Sequence, residues 1–161
     1  MSPAAPTIED ARRALDARLA DEEAWLVGGA VRDELLGRPT TDLDVVVSGD
    51  PRRGARDLGA TLGVPVFPLS ERFGTWRVVG EGWQIDVSAA QGDGTLAGDL
   101  ARRDLTINAI ARPIGGGAIV DPHDGAGDLA ARRLRMVTAA AFDEDPERML
   151  RVARVAGQLG F

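Results

Sequence analysis

The chain has 161 residues, 44% of them hydrophobic but only 4% aromatic, which is enough for about one domain with a largely aliphatic core. It has no cysteine and a single histidine, which excludes disulfides and thiolate or histidine-rich metal sites and leaves oxygen ligands for any metal. The net charge of −6 is opposite to that of domains that hold nucleic acid by charge alone. No apolar run could span a membrane and no signal peptide is evident, so we expect a cytoplasmic protein.

In the first half of the chain, helices and strands alternate without the regular repeat of a doubly wound fold. A capping box begins at Thr7, and Pro51 follows an N-cap aspartate at the start of a helix that Gly63 ends. The first predicted helix follows the capping box and ends at residue 20. Two further helices are predicted at residues 30–36 and 51–62. Predicted strands span residues 24–27, 42–47, 64–69, 75–79 and 83–88.

The second half has weaker patterns until a final amphipathic helix. Helices are predicted at residues 96–103 and 143–159, and a short helix is predicted within residues 124–134. Strands are predicted at residues 107–112, 118–120 and 135–137. In the last helix Met149, Val152, Ala156 and Leu159 follow helical spacing. The expected fold is α+β, with a mixed sheet of about five strands flanked by helices.

Two acidic residues share one side of the second predicted strand. Asp42 and Asp44 are two residues apart, so their carboxylates point the same way while Leu43, Val45 and Val47 face the core. Such a pair repels itself unless a cation lies between the carboxylates, and Mg²⁺ binds one or two carboxylates and completes its shell with phosphate oxygens. Two surface acids on a solvated strand would give the same pattern.

A glycine pair lies between the first strand and the next helix. Gly28 and Gly29 let backbone N–H groups approach an anion, and Arg32, one turn later, can add a charged fork to a phosphate. The spacing does not fit a dinucleotide-binding Gly-x-Gly-x-x-Gly loop. By itself the pair also fits a tight turn.

Together these features lie within the 17 residues from Gly28 to Asp44, and the combination is more specific than its parts. The stretch Leu-Val-Gly-Gly-Ala-Val-Arg-Asp at 26–33, Leu-Leu-Gly-Arg at 35–38 and Asp-Leu-Asp at 42–44 resembles the first motif of the class II tRNA nucleotidyltransferase and bacterial poly(A) polymerase family. The resemblance implies a polymerase-β-like head, with Asp42 and Asp44 as catalytic metal ligands. It also implies Mg²⁺ as the metal, with Mn²⁺ as the alternative.

Two later motifs extend the resemblance to about residues 24–161. Residues 99–109 look like the family's ribose-recognition motif, with Asp99, Arg103, Asp104 and Asn108 as its polar residues. Charge pairing on a helix surface would give the same sequence pattern. Glu-Asp-Pro-Glu-Arg at 144–148 is similar to the motif that selects the base. The implied nucleotide-binding residues are Gly28, Gly29, Arg32, Asp99, Arg103, Asp104, Asn108, Asp145, Arg148, Arg151 and Arg154. A plain intrahelical Asp145–Arg148 pair is the structural alternative.

The segment between these motifs, residues 121–135, resembles the family's link between head and neck, which implies a structural brace. Asp86 lies on a strand that could neighbour Asp42 and Asp44, so it is a candidate third catalytic carboxylate. The loop at 88–98 is shorter than in many members, where a longer loop is linked to the switch from C to A addition. This leaves CC-adding and A-adding enzymes open beside CCA synthesis.

The expected division is a tail and helix at 1–23, a head at 24–138 and the start of a helical neck at 139–161. We expect the rest of the neck, the body and the tail to be absent. The resemblance implies transfer of CMP or AMP from CTP or ATP to the 3′-hydroxyl of tRNA or another RNA, with release of pyrophosphate. The alternatives are a poly(A) polymerase, transfer to a small-molecule hydroxyl, and a nucleotide-binding domain with little activity of its own.

Overall fold

The computed structural model describes residues 4–70, 74–139 and 147–161, in which helices cover a single mixed sheet. The α-helices are α1 Ile8–Leu19, α2 Gly29–Leu35, α3 Pro51–Leu62, α4 Leu96–Ala101, α5 Gly125–Ala130 and α6 Glu147–Leu159. The strands are β1 Ala24–Val27, β2 Asp42–Val47, β3 Val66–Ser70, β4 Thr75–Gly80, β5 Trp83–Ala89 and β6 Ala111–Pro113. In this described part of the chain, no helix reaches the length and apolarity that crossing a bilayer would need.

The sheet has six strands in the order β3-β4-β5-β2-β1-β6. β2 pairs in parallel with β5, and the other neighbouring pairs are antiparallel. This confirms the α+β class and the mixed sheet predicted from the sequence, with six strands in place of about five. The central strand β2 is therefore hydrogen-bonded on both sides, which gives the residues along it a rigid support.

Local capping residues define several of the predicted helix ends. Thr7 and Asp10 form the reciprocal capping box of α1, with the Thr7 N–H donating to the Asp10 carboxylate over 2.8 Å. Asp50 caps α3 by accepting from the Arg52 N–H, and Gly63 ends this helix at φ 68°. These predictions succeed because each depends on residues within one turn of each other.

The two faces of β2 carry different groups. Leu43, Val45 and Val47 are buried in the main core, which α1 and α3 cover. On the opposite face Val46 packs in a second cluster beside α4, whereas Asp42 and Asp44 remain exposed. The predicted alternation of side chains along β2 is confirmed, and it places the two carboxylates on the exposed part of this second face.

The predicted strand pair over 107–112 and 118–120 is wrong in its extent. Residues Thr106–Asn108 form a turn of 3₁₀ helix, only Ala111–Pro113 joins the sheet, and Val120 makes a single bridge to Ala111. The Thr106 hydroxyl donates to the buried Asp128 over 2.6 Å, and the Asn108 N–H bonds back to the Leu105 carbonyl. These long-range and local bonds turn the chain where its β-branched residues favour a strand.

The predicted strand at 135–137 is likewise reduced to one bridge, between Leu105 and Met136. Helix α6 packs onto the sheet domain through Val155 and Leu159, which join Leu105, Ile107 and Leu129 in a third apolar cluster. The predicted apolar stripe is thus right at its C-terminal end. It is wrong at Met149, which is exposed.

Candidate active site

The exposed carboxylates of β2 form one wall of a cleft. Neither Asp42 nor Asp44 accepts a side-chain hydrogen bond or forms an ion pair with a described residue. Burial of part of the Asp44 carboxyl, together with the nearby charges of Asp86 and Asp42, raises the pKa of Asp44 above its ordinary value, against the opposing charge of Arg103. The Asp44 carboxyl is therefore partly desolvated and lies between the negative charges of Asp86 and Asp42 and the positive charges of Arg103 and Arg77.

This donor set suits a hard divalent cation. Both carboxylates supply oxygen ligands, and a bound cation would stabilise the charged form of Asp44, which its partial burial disfavours. Within residues 4–70, 74–139 and 147–161, no three His, Cys, Asp or Glu side chains are arranged as a closed metal cage. An ion held here would therefore take its remaining ligands from substrate or water, as Mg²⁺ commonly does.

Gly28 lies against these carboxylates in a conformation that suits glycine. Its φ is 69°, and a Cβ atom at this position would lie 2.8 Å from Arg103 Nη1 and 3.7 Å from Asp44 Oδ2. The Gly28 N–H is already bonded to the Ile110 carbonyl. Gly28 therefore contributes space, and the unbonded N–H groups of the predicted phosphate cradle begin at Gly29, the first residue of α2.

Arg32 is held in place by two neighbours. It is 8% exposed, its Nε donates to Asp33 over 2.9 Å, and its Nη1 donates to the Asn108 side-chain oxygen over 2.9 Å. The Asn108 amide in turn donates to Asp104 over 3.3 Å. Asn108, predicted as a nucleotide-binding residue, thus connects the glycine-turn helix to the segment after α4.

Arg103 is anchored by the first acid of its motif. Its Nε and Nη2 donate to Asp99 Oδ2 over 3.1 and 2.9 Å, while Nη1 reaches toward Gly28. The other Asp99 oxygen accepts from the Gln91 N–H. The helix-surface pair considered from the sequence therefore exists, and it also directs the arginine into the cleft.

Asp104 and the last helix meet on the opposite wall. Asp104 is nearly buried and accepts from the Leu105 N–H over 2.7 Å, and Arg151 Nε lies 3.7 Å from its second oxygen. Arg148 Nη2 donates to the Arg102 carbonyl over 2.9 Å. Asp145, the predicted partner of Arg148, lies outside the described residues.

The walls enclose a cleft of about 900 Å³. The predicted site residues that line it are Gly28, Gly29, Arg32, Asp42, Asp44, Asp99, Arg103, Asp104, Asn108, Arg148, Arg151 and Arg154. Lining residues that we did not predict include Arg38, Thr40, Ser88, Gln91 and Gln158. Arg38 belongs to the Leu-Leu-Gly-Arg part of the first motif, and its place in that motif could have identified it as a site residue. Its Nη1 donates to the Gln158 carbonyl of α6 over 3.0 Å.

Asp86 is beside this cleft but does not line it. It is the register partner of Asp44 on the parallel strand β5. Both of its carboxylate oxygens accept from Arg77, each over 2.7 Å. The structure thus brings Asp86 next to the carboxylate pair, as predicted, and gives it a partner that the sequence did not reveal.

Comparison with known proteins agrees with this geometry. The family model described as poly A polymerase head domain matches residues 24–135. A CC-adding tRNA nucleotidyltransferase of Geobacter sulfurreducens is 48% identical over 140 residues, which cover 86% of this chain and 32% of that protein. The chain therefore spans about a third of the length of this curated relative.

Two solved structures share the fold over nearly the whole chain. A CCA-adding enzyme in complex with ATP matches with a TM-score of 0.83 at 30% identity and covers 96% of this chain and 39% of that one. A tRNA nucleotidyltransferase complexed with a primer tRNA and an incoming ATP analog matches with a TM-score of 0.79 at 35% identity, over 92% and 45% of the two chains. The chain, with its carboxylate pair, glycine turn and arginine-lined cleft, belongs to the poly A polymerase head-domain family.

Proposed function

We propose that this chain carries the catalytic head of an enzyme that adds CMP or AMP, or both, to the 3′-hydroxyl of an RNA in the cytoplasm. CTP and ATP would be the donors, and pyrophosphate would be released. The observation that carries the proposal is the pair of unpartnered carboxylates, Asp42 and Asp44, beside Gly28 and Arg103 in one cleft. A tRNA 3′ end is the proposed acceptor, because relatives are named as CC-adding and CCA-adding enzymes.

In this proposal Asp42 and Asp44 hold Mg²⁺, or Mn²⁺ in its place. The bound cation would polarise the α-phosphate oxygens and lower the pKa of the attacking hydroxyl. The protein supplies the two carboxylates on a rigid central strand. Asp86, the candidate third catalytic carboxylate, lies beside this pair on β5.

The triphosphate would lie between the glycine turn and the two anchored arginines. Gly28 leaves room for the phosphate, the N–H groups from Gly29 onward donate to it, and Arg32 and Arg103 neutralise its charge. Because Asp33, Asn108 and Asp99 already orient these guanidinium groups, little side-chain freedom is lost when the nucleotide binds.

The ribose and the base would face the other wall. We propose that Asp99, Asp104 and Asn108 support the ribose, while Asp145 and Arg148 read the edge of cytosine or adenine, with Arg151 and Arg154 beside them. The three arginines line the cleft on α6. A side chain that pairs with the base edge can choose a nucleotide without a nucleic-acid template.

The proposed enzyme adds CCA, CC or A to the RNA, and these are three alternatives. The predicted short loop falls between β5 and α4, where the Asp93 carboxylate accepts from Thr95 and the Thr95 hydroxyl caps α4. A compact loop of this kind favours a specialist over full CCA synthesis. The naming of the Geobacter sulfurreducens relative as CC-adding points the same way.

The test is nucleotide incorporation into tRNA transcripts that lack one, two or all three of the terminal C, C and A. Each transcript is offered with CTP, ATP or both, and the products are resolved on sequencing gels. The Asp42→Ala, Asp44→Ala double variant is expected to lose incorporation at least about 10³-fold, because the cation site is gone. The Asp57→Ala variant, with a change on the exposed side of α3, is the control.

Equal incorporation by the parent and the double variant would overturn the proposal. Binding of CTP or ATP by the parent without incorporation into any transcript would favour the alternative, a nucleotide-binding domain with little activity of its own. Long adenylate tails on unrelated RNA would favour a poly(A) polymerase. Limited proteolysis of the same preparations tests the proposed division into residues 1–23, 24–138 and 139–161.

A further inference from the structure

A row of charged residues crosses the sheet beneath the cleft. Asp44 on β2 is the register partner of Asp86 on β5, and Asp86 is the register partner of Arg77 on β4. Register partners on neighbouring strands point to the same face, so the three side chains follow one another in a line. Two carboxylates side by side in such a row repel each other, and the guanidinium at its end faces only one of them.

The Arg77–Asp86 pair is a two-pronged salt bridge. Nε donates to Oδ1 and Nη2 donates to Oδ2, each over 2.7 Å, and the two side chains are 24% and 18% exposed. This fork geometry fixes the orientation of the carboxylate as well as its position. Both Asp86 oxygens are therefore engaged by a side chain of β4.

The other two carboxylates have no such partner. Asp42 and Asp44 accept no side-chain hydrogen bond from a described residue, although all three acids lie on neighbouring parts of two strands. Donation of hydrogen bonds to Asp86 raises the pKa of Arg77 above its ordinary value, and the charges of Asp86, Asp42 and Asp44 add to this, so the guanidinium stays charged. The protein therefore neutralises one acid of three and leaves two open.

We propose that Arg77 is a positioning residue that keeps Asp86 out of the cation site, so that Asp42 and Asp44 alone hold the divalent ion. The inference rests on the proposed function, because it concerns the same site. A two-carboxylate site leaves more coordination positions for phosphate oxygens and water than a three-carboxylate site does. Arg77 thus determines how many coordination positions of the ion the protein fills and how many remain for the nucleotide.

The experiment measures Mn²⁺ binding to the nucleotide-free chain by electron paramagnetic resonance of the unbound ion. The variants are Arg77→Met, Asp86→Asn and the double variant that carries both. The Arg53→Met variant is the control, because it removes an arginine from another salt bridge, to Glu22 over 2.7 Å, with the same change in net charge. Thermal unfolding of each variant checks that it is folded.

The proposal gives a distinct pattern for the three variants. Arg77→Met releases a third carboxylate, so Mn²⁺ should bind at least about three-fold more tightly. Asp86→Asn leaves the Arg77 charge unbalanced beside the site, so Mn²⁺ should bind at least about three-fold more weakly. The double variant removes both charges and should return to within about two-fold of the parent, as should Arg53→Met.

The double variant decides between the two roles of Asp86. If Asp86 is itself a ligand, the double variant will bind Mn²⁺ at least about three-fold more weakly than the parent, because removal of the Arg77 charge does not replace the lost ligand, and the proposal is overturned. Unchanged binding in both single variants overturns it as well. If Arg77→Met does not fold, the comparison of the double variant with the parent still gives the answer.

A further variant separates this inference from the proposed function. Asp44→Asn should reduce Mn²⁺ affinity at least about ten-fold, whatever the role of Arg77. A parent chain that binds no Mn²⁺, or an Asp44→Asn variant with parental affinity, would overturn the cation site itself and the inference with it. Loss of binding in Asp44→Asn without the expected pattern for Arg77 and Asp86 would overturn the inference alone.

Discussion

At the scale of single residues, Gly28 combines an unusual backbone conformation with a position between two charged side chains. Its φ of 69° and ψ of −133° form a combination that L side chains rarely adopt, and the space that its missing side chain leaves lies between Arg103 and Asp44. Glycine adopts this conformation without the penalty of about 1–3 kcal/mol that an L side chain brings. One residue type thus answers a requirement of the turn and a requirement of the proposed nucleotide site.

We expect Gly28→Ala to abolish nucleotide binding while costing only a modest amount of stability. The new methyl group would strain the backbone by about 1–3 kcal/mol and displace the Arg103 guanidinium, whose Nη1 lies 2.8 Å from the position of the new Cβ. Gly63→Ala is the control for a positive φ away from the cleft, because Gly63 has a φ of 68° and nothing within 4 Å of its Cβ position. Isothermal titration with CTP and urea unfolding should show a loss of stability in both variants but a loss of binding only in Gly28→Ala.

Arg148 provides a test of base selection at the same scale. Replacing it with alanine should reduce the preference among nucleotides about ten-fold, or about 1.4 kcal/mol, because one hydrogen-bonding group on the base edge is lost. Binding of Mn²⁺ should stay unchanged, since Asp42 and Asp44 are intact. Incorporation of each of the four nucleotides is the measurement, with Leu150→Ala, 75% exposed on the same helix, as the control. Parental selectivity in Arg148→Ala would exclude its role in base reading.

At the scale of elements, a buried acid connects the cleft wall to the segment that precedes α6. Asp128 on α5 is fully buried and accepts from the Thr106 hydroxyl over 2.6 Å, from Arg133 over 2.7 Å and from Arg135 over 2.8 Å. Gly125, at the start of the same helix, has no room for a side chain, because a Cβ would lie 2.1 Å from the Thr106 carbonyl oxygen. This is the brace that the resemblance implied for residues 121–135.

The brace should make stability depend on pH in the acid range. Burial alone would raise the pKa of Asp128, but the hydrogen bonds from Thr106 and Arg133 and the charges of Arg133 and Arg135 outweigh it and hold the pKa below 3.8. A lowered folded-state pKa stabilises the protein above the ordinary value, and this contribution disappears as pH falls through the folded-state pKa.

We therefore expect Asp128→Asn to lower the free energy of unfolding by at least about 2 kcal/mol at neutral pH. The difference between parent and variant should shrink as the pH is lowered below 3.8. Urea unfolding at a series of pH values measures it, with the exposed Asp57→Asn as the control. A difference that stays constant down to the acid limit would mean that the charge of Asp128 is not what stabilises the brace.

At the scale of the whole molecule, the charge of the cleft differs from that of the chain. Seven arginines and five aspartates line the cleft, although the chain carries a net charge of −6. The local excess of positive charge favours a compact anion such as the proposed triphosphate, whereas the acidic remainder repels a long polyanion. This distribution of charge fits the proposed nucleotide better than it fits a duplex RNA stem.

We expect this chain to bind CTP or ATP more tightly than it binds tRNA. Its affinity for tRNA should lie near about 10⁻⁴ M at physiological salt, the weak end of non-specific binding, with a shallow dependence on salt. Fluorescence anisotropy with a labelled acceptor-stem hairpin at two salt concentrations provides the measurement. A sub-micromolar affinity would show that the described surface contains an RNA-binding region beyond the cleft.

The sequence by itself determined features that depend on nearby residues. The capping box at Thr7, the ends of α3, the alternation along β2 and the order of the motifs from Gly28 to Arg148 all follow from spacing along the chain. Their physical basis is local, because a cap, a turn or a strand face is defined within a few residues. The resemblance to a known family adds the roles, which the alternation and the caps alone cannot supply.

Only the tertiary structure decided which groups are already engaged. It showed that Asp86 is held by Arg77, that the Gly28 N–H is bonded to the Ile110 carbonyl, and that Thr106–Asn108 turns where a strand was predicted. Each of these depends on a partner distant along the chain, and composition and periodicity contain no information on which groups will meet. The sequence therefore predicted the acids of the proposed site, and the packing of β2, β4 and β5 decided which of them has a salt-bridge partner.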